Sequence, residues 1–168
     1  MEPLWLREAR KHIGQKEVPG MKSNPWIVGL RARFKSWLTG DDSSVPWCGL
    51  FCDYCMTAGG VVPPKNSFRA KAWLDWGTTI ANPVVGAVVI FGREGGGHVG
   101  FVAGKDEAGN LMVLGGNQGD AVKISPFAMS GPNCRIVGFR IPKDWNLPYE
   151  SMALPRLASD GKLSTNEA

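Results

Sequence analysis

The hydrophobic pattern of this chain changes period partway along, and that change limits the fold more than any other feature. Up to residue 76 the apolar positions recur at helical spacing; from residue 84 they fall in short β-branched runs between glycine-rich or polar turns. Residues 3–13, PLWLREARKHI, put Leu4, Trp5, Ala9 and Ile13 near one stripe, with Pro3 suited to a first helical turn and Gly14 to the stop. Pro25 opens a second predicted helix over 25–38, with Trp26, Leu30, Phe34, Trp37 and Leu38 on one face. A third is predicted over 46–58, with Ser44 as N-cap and Gly59-Gly60 as stop. A shorter helical pattern covers 67–76. The segments VVGAVVIF (84–91), HVGFVAG (98–104), NLMVLGG (110–116), AVKI (121–124) and RIVGFRI (135–141) read as consecutive antiparallel strands. Helices followed by strands predict an α+β fold, N-terminal helices packed on a C-terminal antiparallel β-sheet. One domain is expected over residues 1–145, with 146–168 a loosely ordered C-terminal extension, because that tail has no periodicity.

At 168 residues the chain can bury roughly 70% of its unfolded surface, enough for a core without disulfides or metal. No apolar run approaches a membrane span, so none is expected. The start, MEPLWLREARKHIGQKE, is charged throughout and has no apolar signal core. Synthesis in the cytoplasm is therefore expected, and work outside would need another export route. The formal net charge is +4, with +5 over residues 1–40 and −1 over the rest. That asymmetry would suit an anionic partner such as a cell-envelope polymer. No nucleic-acid motif surrounds the basic run RARFKSW, so no nucleic-acid partner is expected.

Cys48, Cys52 and Cys55 stand at i, i+4 and i+7 in VPWCGLFCDYC, on one stripe of the predicted third helix. Cys52 and Cys55 read as small buried hydrophobes. A zinc site would need a second ligand pair, and Cys134, His98 and His12 are each isolated, so no metal is expected. A redox CxxC needs its first cysteine at a helix start, and Cys52 lies a full turn inside. Cys48 differs, since it falls in the first helical turn. Unpaired N–H groups and the helix dipole there favour an anion and lower a thiol pKa. The same N–H groups can hold the oxygen of a tetrahedral intermediate.

A thiol nucleophile needs an imidazole within reach, and the chain has two. His12 lies in a basic amphipathic helix. His98, in GREGGGHVGFVAG, follows a three-glycine turn at a strand start, where glycines leave room for another segment to approach. A third group should orient the ring. If 98–104 and 110–116 form a hairpin with 104 opposite 110, His98 faces Gly116, and Asn117 and Gln118 follow beside it. Either amide could accept the ring proton, and a one-residue slip would exchange them.

The order PWCGLFC, GGGHVGFV, LGGNQGD resembles the CHAP and NlpC-type cysteine amidohydrolases, with phage-lysin-like members the nearest likeness. The resemblance covers about residues 3–142 and extends to the front segment WLREARKHIGQKEVPG and the strand GAVVIF. It implies a papain-like α+β fold and cleavage of an amide bond in peptidoglycan stem peptides, by an endopeptidase or an N-acetylmuramoyl-L-alanine amidase. Cys48 would be the nucleophile, His98 the base and Asn117 the orienting residue, with no cofactor. Two positions depart from the family pattern. Gly115 stands where some members carry glutamate, and Trp47 where many carry glutamine. Trp47 is thus a candidate at the oxyanion hole and Gln118 a second orienter. Asp41 and Asp42 are candidates for binding a stem-peptide amine, and Trp73 and Trp76 for walling the cleft. The expected setting is a phage lysin or an antibacterial effector toxin, monomeric, reaching the periplasm or wall through a holin or a secretion system. An immunity or secretion partner would accompany the effector role. The competing reading is a catalytically inactive envelope-binding module on the same fold.

Overall fold

The computed structural model describes residues 1–20, 22–34 and 45–165. Three α-helices, α1 (Leu4–Lys11), α2 (Pro25–Gly29) and α3 (Cys48–Ala58), precede six strands. These are β1 (Thr78–Ile80), β2 (Val88–Arg93), β3 (Gly96–Lys105), β4 (Leu111–Gly115), β5 (Lys123–Phe127) and β6 (Ile136–Ile141). They form one sheet in the order β1-β6-β2-β3-β4-β5, and every pairing is antiparallel. The expected α+β architecture, helices packed against an antiparallel sheet, is the one observed. β1 was not anticipated, because its three residues TTI carry too little pattern.

Several elements differ in detail from the sequence expectation. In α1 the buried arc is Trp5, Leu6 and Ala9, while Leu4 and Ile13 are exposed. The helix opened by Pro25 stops at Gly29, and a 3-10 turn over Ala32–Phe34 follows. Glycine is among the poorest helix formers, at about 1 kcal/mol against alanine. Trp37, Leu38 and Ser44 lie outside the described residues. The start of α2 follows the expected logic, since Asn24 caps it by accepting the Trp26 N–H at 2.9 Å. The segment expected as a helix over 67–76 tightens into a 3-10 helix over Ala70–Asp75.

The sheet curls, and the curl makes the site. Val88 and Ile90 of β2 join Val99, Phe101 and Ala103 of β3 in a core shared with α1 and α3. Val89 and Phe91, one residue out of phase, point to the other face with Val102, Val113, Phe127 and Phe139. In a flat sheet β2 and β5 would stand about 14 Å apart, three strand spacings. Yet the Phe91 and Phe127 rings stack with centroids 4.4 Å apart. The second core is therefore the filled inside of a curled sheet. α3 lies against the outside, sharing the first core with β3 and β4, and its Gly49 backs onto the Ser67 carbonyl, where a Cβ would collide.

Arg33 fastens the α2 region to α3 through a two-oxygen ion pair with buried Asp53, at 2.7 and 2.8 Å. Ser67 donates to the same carboxylate. Among the described residues no helix is long and apolar enough to cross a membrane.

The C-terminal residues run back over the sheet. Lys105 of β3 accepts from the Leu157 N–H at 2.8 Å and donates to the Pro155 carbonyl at 2.9 Å. The Ser164 N–H reaches the Pro126 carbonyl of β5 at 2.8 Å.

Candidate active site

Cys48 is the first residue of α3, behind Trp47 as N-cap. Its sulfur lies beside the backbone N–H groups of Val99 and Gly49. Since the Val99 nitrogen closes the peptide bond from His98, α3 presents its first side chain to the start of β3, at residue 98. The thiol is 3% exposed. Burial raises its pKa, and the N–H groups of Val99, Gly49 and Cys48 together with the Arg93 charge only partly oppose that rise. The expected depression at a helix start is thus present in kind but outweighed by desolvation. Cys52 and Cys55 are fully buried, and burial pushes both thiols well above the ordinary value. All four cysteines are free thiols.

His98 pairs with Phe91 across β2 and β3 and is 1% exposed. Its ring is flanked by Phe91 (centroids 5.8 Å apart) and stacked on Phe127 (5.9 Å). His98 Nε2 lies 3.0 Å from Gln118 Oε1. The Gln118 amide is fully determined by its surroundings. Its Nε2 donates to the Val113 carbonyl at 3.0 Å and the Lys123 carbonyl at 2.7 Å. With both protons committed, the atom turned to the ring is the oxygen, an acceptor. His98 Nε2 therefore carries a proton, and Nδ1 is the basic nitrogen of the neutral ring.

Gln118 thus holds the imidazole through its side-chain oxygen. The β3–β4 register differs from the expected hairpin: Phe101 faces Leu114, Gly104 faces Met112 instead of Asn110, and a bulge lies between Val102 and Gly104. Asn117 then takes the left-handed backbone conformation (φ 57°), uncommon for a residue other than glycine, as the chain turns out of β4. Asn117 is buried at 3% exposure, one residue from the clamp. Gly115 is required by the arrangement, because a Cβ there would stand 2.5 Å from Gln118 Oε1 and 3.4 Å from His98 Nε2.

The other candidates are placed as follows. Trp47 is buried, its indole N–H donates to Glu17 at 2.8 Å, and its ring covers Gly116. It is a wall behind the site, and its N–H is directed to a carboxylate instead of a reacting oxygen. Trp73 is fully buried with its N–H on the Ser67 carbonyl at 2.9 Å, a core residue and not a cleft wall. Trp76 lines a groove with Trp5, Val61 and Trp145 beyond the C-terminal end of α3. An 11-residue helix is about 16 Å long, so Trp76 does not border Cys48. Asp41 and Asp42 lie outside the described residues. His12 is turned away from the site, stacked on Trp26 and 3.0 Å from Glu8. Among the described residues no three His, Cys, Asp or Glu side chains cluster as a metal site would require. Sequence reasoning passed over Arg93, whose charge acts on the Cys48 thiol, and Glu17, which anchors Trp47. Neither stands in a periodic pattern that would single it out.

The α+β architecture is papain-like, and a helix-start cysteine beside the strand that carries a glutamine-held histidine could serve a cysteine hydrolase. Residues 40–117 match the family model described as CHAP domain. The matched span contains Cys48, His98 and Asn117 and stops one residue short of Gln118. That match supports the cysteine-hydrolase class and a peptidoglycan-related activity. No curated protein matches the chain.

Proposed function

We propose that this chain is a cysteine peptidoglycan hydrolase that cleaves an amide bond of the stem peptide, as an endopeptidase or an N-acetylmuramoyl-L-alanine amidase. The observation that carries the reading is the Gln118 clamp on His98, next to the peptide link whose N–H adjoins the Cys48 sulfur. With Nε2 protonated and held, Nδ1 accepts the Cys48 proton as the sulfur attacks the substrate carbonyl. Backbone N–H groups at the start of α3 receive the developing oxyanion. The imidazolium then protonates the leaving amine, and the neutral ring activates water to release the acyl group from sulfur. Atoms balance as hydrolysis of one amide by one water.

A thiol kept neutral by burial in the resting state is compatible with this sequence of steps, because the proton moves only when the base is engaged. The same burial also favours a second reading, an inactive envelope-binding module. Digestion of purified sacculi with wild-type protein, Cys48→Ala and His98→Ala, followed by mass spectrometry of the fragments, separates the two. The hydrolase reading expects one new type of peptide end, produced by wild type and missing from both variants. Digestion by none of the three would leave the binding module. The activity would be exercised in the periplasm or at the wall, after holin- or secretion-dependent delivery, by a phage lysin or an antibacterial effector.

A further inference from the structure

We infer that the groove between β5 and the loop leading to β6 is an extended-peptide subsite beside His98, filled in the resting protein by the chain's own residues 163–165. This rests on the hydrolase reading for its role, but the groove itself is defined by contacts. β5 is an edge strand, and Pro126 within it offers a carbonyl but has no N–H to donate. That carbonyl accepts the Ser164 N–H at 2.8 Å. From the opposite wall Arg135 Nη2 donates to the Ser164 carbonyl at 3.3 Å. Both bonds engage main-chain atoms, so what is recognised is an extended peptide backbone and not a particular side chain.

Beside the seated tail a cavity of about 330 Å³ stays open. Phe91 and Phe127 line it, and both rings also flank the His98 imidazole. Leu163, Ser164 and Thr165 line it from the tail. One layer of aromatic rings therefore stands between the groove and the His98 imidazole. Upstream, the tail is anchored independently by Pro155 and Leu157 at Lys105, and Leu157 packs on Gly104. Asp160 and Ser159 then close a turn through the N–H groups of Lys162 and Gly161. The last described residues can thus leave the groove while the anchor at Lys105 stays in place. A peptide entering from solution would exchange with them and reuse Pro126 and Arg135.

The test uses the full chain in a Cys48→Ala background, so that hydrolysis plays no part. Ser164→Pro removes the N–H that reaches Pro126, and Leu163→Asp is a second release variant if the proline disturbs the turn. Each is titrated calorimetrically with the synthetic peptide DGKLSTNEA, residues 160–168. The expected result is binding to the release variants at least ten-fold tighter than to Cys48→Ala alone, lost again on adding Arg135→Ala. Equal affinity for released and unreleased proteins, or no binding to a release variant whose melting curve is intact, would overturn the inference. Either outcome is independent of whether sacculi are cleaved.

Discussion

Gln118 Oε1 accepts from His98 Nε2 at 3.0 Å, and the two protons of the same amide are tied to the carbonyls of Val113 and Lys123. The glutamine is thereby fixed in one orientation, and it fixes the tautomer of the ring. Loss of this clamp leaves the imidazole free to rotate or to adopt the wrong tautomer. Gln118→Ala is expected to lower kcat by about 100-fold with little change in KM, a typical scale for general-base contributions. Asn117→Ala should cost less. Steady-state kinetics on the cleaved stem peptide, with the His98 tautomer read by 15N NMR, check both. A larger effect at Asn117 would assign the orienting role to the wrong amide.

Gly115 lies where a side chain would collide with the clamp. Gly115→Ala is expected to push the Gln118 amide off the ring and to reproduce the kcat loss of Gln118→Ala, with the two changes not additive in the double variant. Full additivity in the double-mutant cycle would show that Gly115 acts by some route other than Gln118.

Asp53 accepts from Arg33 and Ser67 while nearly inaccessible to solvent. Asp53→Ala removes the acceptor from both and is expected to destabilise the fold by about 1–3 kcal/mol, the usual cost of stranding buried polar partners. Denaturant unfolding measures it. A change within experimental error would mean that Arg33 and Ser67 find water instead.

The buried thiols make stability depend on alkaline pH. Cys48, Cys52 and Cys55 all have folded-state pKa values raised by burial. The unfolded chain therefore loses these protons at lower pH than the folded one. Their contribution is complete below the unfolded thiol value of about 8.5 and is lost as pH rises from there toward the folded values. Tm should fall across that window, and less steeply in Cys52→Ala/Cys55→Ala than in wild type. Parallel slopes would show that these thiols do not supply the linkage.

The sequence singled out Cys48 and His98 as candidates for the reaction and left the third residue as a choice. Pro46 and the double glycine after Ala58 marked α3, so Cys48 could be placed at its start, and the glycine run before His98 marked a strand entry. Asn117 and Gln118 could not be separated by alternation, because a one-residue slip exchanges them and the strand pair itself carries a register shift at Val102–Gly104. A bulge in a run as uniform as HVGFVAG leaves no trace in hydrophobic alternation. The helix expected from Pro25 ran on past Gly29 because the apolar spacing did, whereas Ala32–Phe34 form a 3-10 turn. Trp73 could be read as core or as cleft wall for a related reason, and it is fully buried. Spacing shows which side of a helix is apolar, and it cannot show whether that side meets solvent or another layer. The curl that brings Phe91 onto Phe127, and so builds the pocket around His98, is a property of the whole sheet and appears in no local segment.

The account rests on covalent catalysis by Cys48, and the most direct test is the rate at which Cys48→Ala releases peptide fragments from sacculi, measured beside wild type at matched concentration and with matched melting curves. The predicted result is release by wild type and none above background by the variant. Release by Cys48→Ala at a rate comparable to wild type would contradict the account.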